Sequence, residues 1–415
     1  MAQDFFCCDP ATKTAASHKF IPQVFAKTCR LWCNSCNFLK QEVGPGIRIS
    51  TGALCLTLEK LEMKKTLVAV AALAFIGAAS AQSTVTLFGS IDASVGKNQL
   101  KQTGVFPGAV ASDVGPNVNS GTQNGSRWGM RGTEDLGGGM SAIFNLTSGF
   151  NVDTGFSAQG GRLFGREAWV GLKGGFGQVT LGRQVTILAN GPWAITGGYA
   201  NYDAWANTTF NGGFGNAGSI AHDAVRKDNS LQYVTPAFGG FTGTFMWAPG
   251  ENGIVNGANN SNYYSLGLGY VAGPLNVQFG YETDKVLNVA ALTPSPVGRN
   301  QNQVALAATY NLGVATIGAS IQRASLANFD DRGYALSVSA PLGPVTLDIE
   351  YAREKTDNPA GAQISEAKAL NLRVNYPLSK RTKFYALLSD GKSTTNVVGA
   401  KQDLSRYQVG VRHVF

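Results

Sequence analysis

Charge is scarce in this 415-residue chain. Asp, Glu, Lys and Arg make up 14% of it, against about a quarter of an ordinary soluble domain. Long apolar runs are missing as well. A helical membrane protein with several spans needs repeated stretches of about 20 apolar residues, and only one shorter run, Leu67 to Ile76, is present. The mean hydropathy of −0.04 excludes that architecture in the same way. Cysteine is absent after Cys55, so everything beyond it needs no disulfide chemistry. Histidine is nearly absent, with three in the whole chain, which leaves little for acid–base catalysis. What is abundant points elsewhere. There are 52 Gly, 22 Phe, 13 Tyr and 6 Trp, too much apolar surface for a disordered chain and a composition suited to β-structure.

All six cysteines (Cys7, Cys8, Cys29, Cys33, Cys36 and Cys55) precede Met63. The spacing of Cys29, Cys33 and Cys36 hints at a metal knuckle but lacks a second ligand pair, so no metal is expected. At Met63 the sequence changes type. Lys64 and Lys65 lead into the apolar run, which ends in Ala79-Ser80-Ala81. A basic start, a short apolar centre and an Ala-x-Ala ending form a secretory signal peptide, with cleavage expected after Ala81. Residues 63–81 are therefore read as the signal and 82–415 as the mature protein. Residues 1–62 are read as a spurious extension upstream of the true start at Met63. Residues 82–415 hold 25 Lys and Arg against 21 Asp and Glu, a net charge of +4. Half of the chain's formal +8 belongs to the discarded segments, and no basic helix remains to suggest a nucleic-acid partner.

From Gln82 onward the dominant pattern has a period of two. Tyr264, Leu266, Leu268 and Tyr270 alternate with Ser265, Gly267 and Gly269; Leu370, Leu372, Val374 and Tyr376 alternate with Asn371, Arg373 and Asn375. Each stretch gives a strand one apolar and one polar face, over the roughly ten residues that a tilted strand needs to cross a bilayer. Short Gly- and Pro-rich turns such as Asp135–Gly139, Ala272–Pro274 and Pro341–Pro344 alternate with longer polar stretches. The latter are expected around 97–124, 151–162, 185–225, 250–262, 285–301, 324–332, 355–367 and 391–403. These connections imply sixteen strands, with both termini on the short-turn side. A soluble sandwich has no reason to segregate its connections by length. A closed membrane barrel pairs every backbone group between strands, turns its apolar face to lipid and keeps long loops on the outside. The fold class is therefore all-β: a transmembrane antiparallel 16-stranded β-barrel, wide enough to enclose water.

Within Gly125–Gly132, Arg127, Gly129 and Arg131 share one face while Trp128 and Met130 share the other. Charge on a lipid face costs roughly 2–4 kcal/mol near the midplane, so the arginines should point into the lumen. The longest connection, about Val185 to Val225, mixes Gly with aromatics and carries Asp203 inside it and His222 and Asp223 near its end. His222 has no evident nucleophile partner, and no phosphate loop or metal-ligand cluster is visible, so neither enzyme activity nor a cofactor is expected.

Five segments in order carry a family resemblance: Ser83–Gly89, Gly125–Gly139, Phe164–Leu172, Gly177–Gln184 and Tyr407–Phe415. Together they resemble the Gram-negative general porins, in particular the betaproteobacterial trimeric type. The resemblance covers the mature chain and none of residues 1–62. It implies an outer-membrane location after secretion to the periplasm, a homotrimer in outer-membrane lipid, and passive diffusion of small hydrophilic solutes and ions. It also implies a third loop folded into the pore, the Val185–Val225 connection. Arg127 and Arg166 match the family's basic wall at the constriction; Arg226 matches less firmly, and Arg131 and Arg183 are candidate second members. For each, a solvated lumen arginine without a selectivity role is the alternative. Cation-preferring members oppose the arginines with several loop carboxylates, whereas this loop offers chiefly Asp203. Weak anion preference is therefore expected. The apolar stripe Tyr407, Val409, Val411 and Phe415 resembles the signal read by the outer-membrane barrel assembly machinery. Solute-specific transport and a surface adhesion barrel are the competing readings.

Overall fold

The structure, a computed structural model, describes residues 84–103, 112–196, 225–250, 262–286, 299–326, 329–396 and 400–415. The period-two stretches all become strands. The sheet begins with β1 (Thr84–Thr103), β2 (Ser112–Ser120), β3 (Arg127–Gly137), β4 (Met140–Gly149), β5 (Glu167–Gly174) and β6 (Gly177–Val185). It continues with β7 (Arg226–Val234), β8 (Phe241–Ala248), β9 (Tyr263–Ala272), β10 (Leu275–Val286), β11 (Arg299–Asn311) and β12 (Thr316–Leu326). The last strands are β13 (Phe329–Leu342), β14 (Val345–Asp357), β15 (Gln363–Pro377), β16 (Thr382–Thr395) and β17 (Ala400–Val414). No described helix is long and apolar enough to cross a membrane.

Each strand pairs antiparallel with its sequence neighbour, and β17 returns to β1 from Ser90↔Val414 to Thr103↔Lys401, which closes the ring. Seventeen strands among the described residues fill sixteen positions. β2 pairs with the upper half of β1, from Ala93↔Ser120 to Leu100↔Ser112, and β3 with its lower half, from Thr84↔Thr133 to Ser90↔Arg127. The two are one barrel strand interrupted at residues 121–126. Asp92 on β1 holds the break: its Oδ2 accepts the backbone N–H of Gln123 at 2.8 Å and of Asn124 at 2.5 Å, and its Oδ1 accepts the Tyr385 hydroxyl at 2.6 Å.

Directly opposed residues in a ladder share a face, so the register sorts the side chains. The outer set includes Leu87, Leu181, Leu266, Leu370 and Val409, all largely exposed. Facing water, each would forgo about 1.5–3 kcal/mol of burial, a loss that hydrocarbon removes. The inner set is polar: Ser90, Asp92, Ser94, Gln303, Asn371, Arg373 and Gln408.

Four expected loops prove to be largely strand: 97–124, 324–332, 355–367 and 391–403 contain β2 or the upper ends of β1 and β12–β17. Above the bilayer both faces of a strand can be polar, yet the backbone ladder still gains by continuing, because it needs no apolar face. At the other end, Gly137, Gly138 and Gly139 turn between β3 and β4 with φ of 79°, 62° and 76°, a region only glycine enters freely. The seam needs a second glycine. Gly89 exchanges backbone hydrogen bonds with Phe415 at 3.0 Å in both directions, and a Cβ there would lie 2.4 Å from the Phe415 ring.

Candidate functional site

Arg127 stands opposite Ser90 and Gly149, and Arg131 opposite Thr86 and Asn145. Both therefore point inward, while Trp128 and Met130 share the outer face with Gly89 and Leu87. The Arg127 Nη1 donates to Asn124 Oδ1 at 3.0 Å, so the interruption between β2 and β3 positions this guanidinium. Arg131 lies over the Phe88 ring, 5.1 Å from its centroid, a cation–π contact that orients the charge without cancelling it. Below it, toward the short turns, is a cavity of about 590 Å³ lined by Thr84, Thr86, Arg131, Asn145, Trp169 and Lys173.

Arg166 enters the wall just before β5, its backbone N–H donating to Thr147 O at 3.1 Å. Glu167, next in sequence, stands opposite Thr147 on the inner face and accepts Asn145 Nδ2 at 2.6 Å. Its carboxylate lies in the field of Arg226 and Arg166. Glu167 thus adds a carboxylate to the arginine wall, a placement that sequence reasoning missed; the pair Arg166-Glu167 inside the third resembling segment was its signal. Arg412 was missed as well. It donates from Nε to Ser90 Oγ at 3.1 Å, and Ser90 faces Arg127 across the β1–β3 ladder. Its place in the alternation of β17, out of phase with Val409 and Val411, could have marked it as inward.

Arg183 is not brought into this group. It stands opposite Ala168, in phase with outward Leu181, and donates to Gly165 O at 2.8 Å and Asp228 Oδ1 at 2.5 Å. Arg162 binds the other Asp228 oxygen at 2.7 Å. Asp203, like His222 and Asp223, lies outside the described residues.

The long connection after β6 begins on the inner wall. Two short helical turns, Ile187–Asn190 and Pro192–Thr196, follow the strand. Ile187 packs over Gly267 and Leu188 over Gly280, both glycines on the inner face, and Trp193 Nε1 donates to Gln322 Oε1 at 2.9 Å. These contacts place residues 187–193 along β9–β12, across the ring from β3–β5. Residues 197–224 lie outside the described residues.

Three carboxylates on that far side have described partners. Asp284 pairs with Lys227, Glu282 accepts the Tyr263 hydroxyl at 2.8 Å, and Asp348 pairs with Arg373 at 2.7 Å. No described cluster of three or more His, Cys, Asp or Glu could hold a metal ion.

A closed sixteen-position barrel, apolar outside and charged within, is a channel architecture, and known proteins share it. A family described as Gram-negative porin matches residues 67–396. The chain belongs to that family. An outer membrane porin protein of Bordetella pertussis is 33% identical over 404 residues, covering 85% of this chain and 100% of the relative. Outer membrane porin protein 32 of Delftia acidovorans is 33% identical over 378 residues, with the same shares. Among solved structures, an anion-selective porin from Comamonas acidovorans is 28% identical, with a TM-score of 0.63 over 80% of this chain and 100% of that one. The porin is a multi-pass β-barrel of the outer membrane that lets small hydrophilic solutes diffuse passively.

The terminal stripe of the porin faces outward: Tyr407, Val409, Val411 and Phe415 are all exposed. His413 is held by Thr382 Oγ1 at 2.8 Å and stacks on Phe415.

Proposed function

We propose that the porin is a weakly anion-preferring diffusion channel whose selectivity is set by the basic wall of Arg127, Arg131, Arg166, Arg226 and Arg412. The observation that carries this reading is the inward register of Arg127 and Arg131, held by an amide and an aromatic ring, while Asp284 and Asp348 opposite are paired with cations. An excess of positive charge in a narrow, low-dielectric passage raises the local concentration of anions and repels cations. The anion selectivity of the Comamonas porin supports the same reading. The connection after β6, with Asp203 inside it, is the segment that narrows the pore. Arg183 acts at a distance, by fixing Gly165 and hence the approach to Arg166.

The transport step is passive, with no catalysis and no cofactor. Translation starts at Met63, residues 63–81 are removed on secretion, and residues 1–62 are not part of the working protein. Three copies assemble through the outer faces of the early strands, and the outward terminal stripe ending at Phe415 is read by the barrel assembly machinery. The selectivity claim is tested by the zero-current potential across a planar bilayer separating unequal KCl solutions. Anion preference that weakens in Arg127→Ala supports it. Clear cation preference, unaltered by that substitution, would sink it.

A further inference from the structure

The cavity of about 590 Å³ below Arg131 opens on the inner face close to the short turns. Thr86, Arg131, Asn145 and Trp169 stand in one inward row across β1 and β3–β5, and Ser141 and Lys173 stand together two inward rows nearer the turns. All six line the cavity. Along the backbone, four residues of β5 put Lys173 about 13 Å below Trp169, and two strand spacings put Arg131 about 10 Å beside it.

No carboxylate lines the cavity. Two acids on this face are committed elsewhere. Glu167, one inward row above Trp169, accepts Asn145 Nδ2 at 2.6 Å and lies in the field of Arg226 and Arg166. Asp135, opposite Ser141, accepts the Gly137 N–H at 2.9 Å. Arg131 and Lys173 are exposed and pair with no carboxylate among the described residues. Trp169 is half-buried and stacks on no other ring among them. An indole on the water side of a barrel serves no lipid belt and forgoes burial that a flat apolar solute would supply.

We infer that this cavity is a binding subsite for planar aromatic dicarboxylates. The ring stacks on Trp169, one carboxylate meets the Arg131 guanidinium with Asn145 and Thr86 beside it, and the other meets Lys173. The indole offers a broad apolar face. The guanidinium is a planar fork that matches a carboxylate, and the ammonium is a point charge on a flexible stem that reaches the second acid. The site rests on the barrel being a water-filled channel and is independent of its overall ion preference.

The test is single-channel recording in symmetric KCl with terephthalate added to both sides. Its hydrogenated analogue, the cyclohexane dicarboxylate, keeps both charges without the flat ring, and benzamide keeps the ring without charge. Terephthalate is expected to interrupt the current and to bind more tightly than either control. Its affinity should fall about tenfold in Trp169→Leu and about threefold in Lys173→Gln. Circular dichroism shows that each variant is folded; if Trp169→Leu fails this check, Lys173→Gln and the two controls carry the test. No block by terephthalate, or equal block of the parent and the folded variants, would overturn the proposal. So would equal block by the cyclohexane dicarboxylate, which would mean charge alone, or by benzamide, which would mean an apolar face only. Selectivity is read separately as a zero-current potential, so a cation-preferring pore that terephthalate blocks in this way would uphold the site and overturn the anion preference.

Discussion

The two sides of the inner wall present different charged groups with different described partners. On β3–β5, the Arg127 Nη1 donates to an amide oxygen and Arg131 lies over an aromatic ring, both on the lumen face. On β10 and β14, Asp284 and Asp348 are oriented by Lys227 and Arg373, which cancel their charges. On the proposed function, a mature chain with a net charge of only +4 still presents a passing ion with a field biased toward the basic wall. Position and partner, rather than the count of charged residues, decide what the pore prefers.

The comparison breaks most directly by reversing the first side. Arg127→Glu/Arg131→Glu should cut the swelling rate of proteoliposomes in a small dicarboxylate by about tenfold, because potentials of several kT are inverted at the wall. Next in size is the release of a far-side acid. Lys227→Met leaves Asp284 without its cation and should lower the anion-to-cation permeability ratio about twofold, and adding Asp284→Asn should restore it. Arg412→Gln should lower the ratio by a smaller factor, since this arginine approaches Arg127 only through Ser90. Arg183→Gln should change selectivity least, because its charge is spent on Asp228 and its side chain leaves the wall. A large effect there would show that the inner wall has been assigned wrongly.

Much of this was legible in the sequence for a physical reason. Lipid on one face and water on the other impose alternation, so the strands, the inward pair Arg127 and Arg131 and the short turns could be read from it, while Arg183, expected in the lumen, is in phase with outward Leu181. The same logic explains what was not legible. Alternation stops at the membrane boundary, so Ser112–Ser120, with its Gly, Pro and Asn residues, read as loop although the long edge of β1 offered it a ladder. Glu167 and Arg412 were missed because their neighbours are set by register between distant segments; Arg412 and Ser90 are 322 residues apart.

The most direct test of the two-sided wall is the zero-current potential of the wild-type porin and of Arg127→Glu/Arg131→Glu, measured in the same KCl gradient. Two asymmetric walls predict an anion-preferring potential that changes sign in the double variant. A cation-preferring wild type, or a potential indifferent to the reversal, would contradict the account.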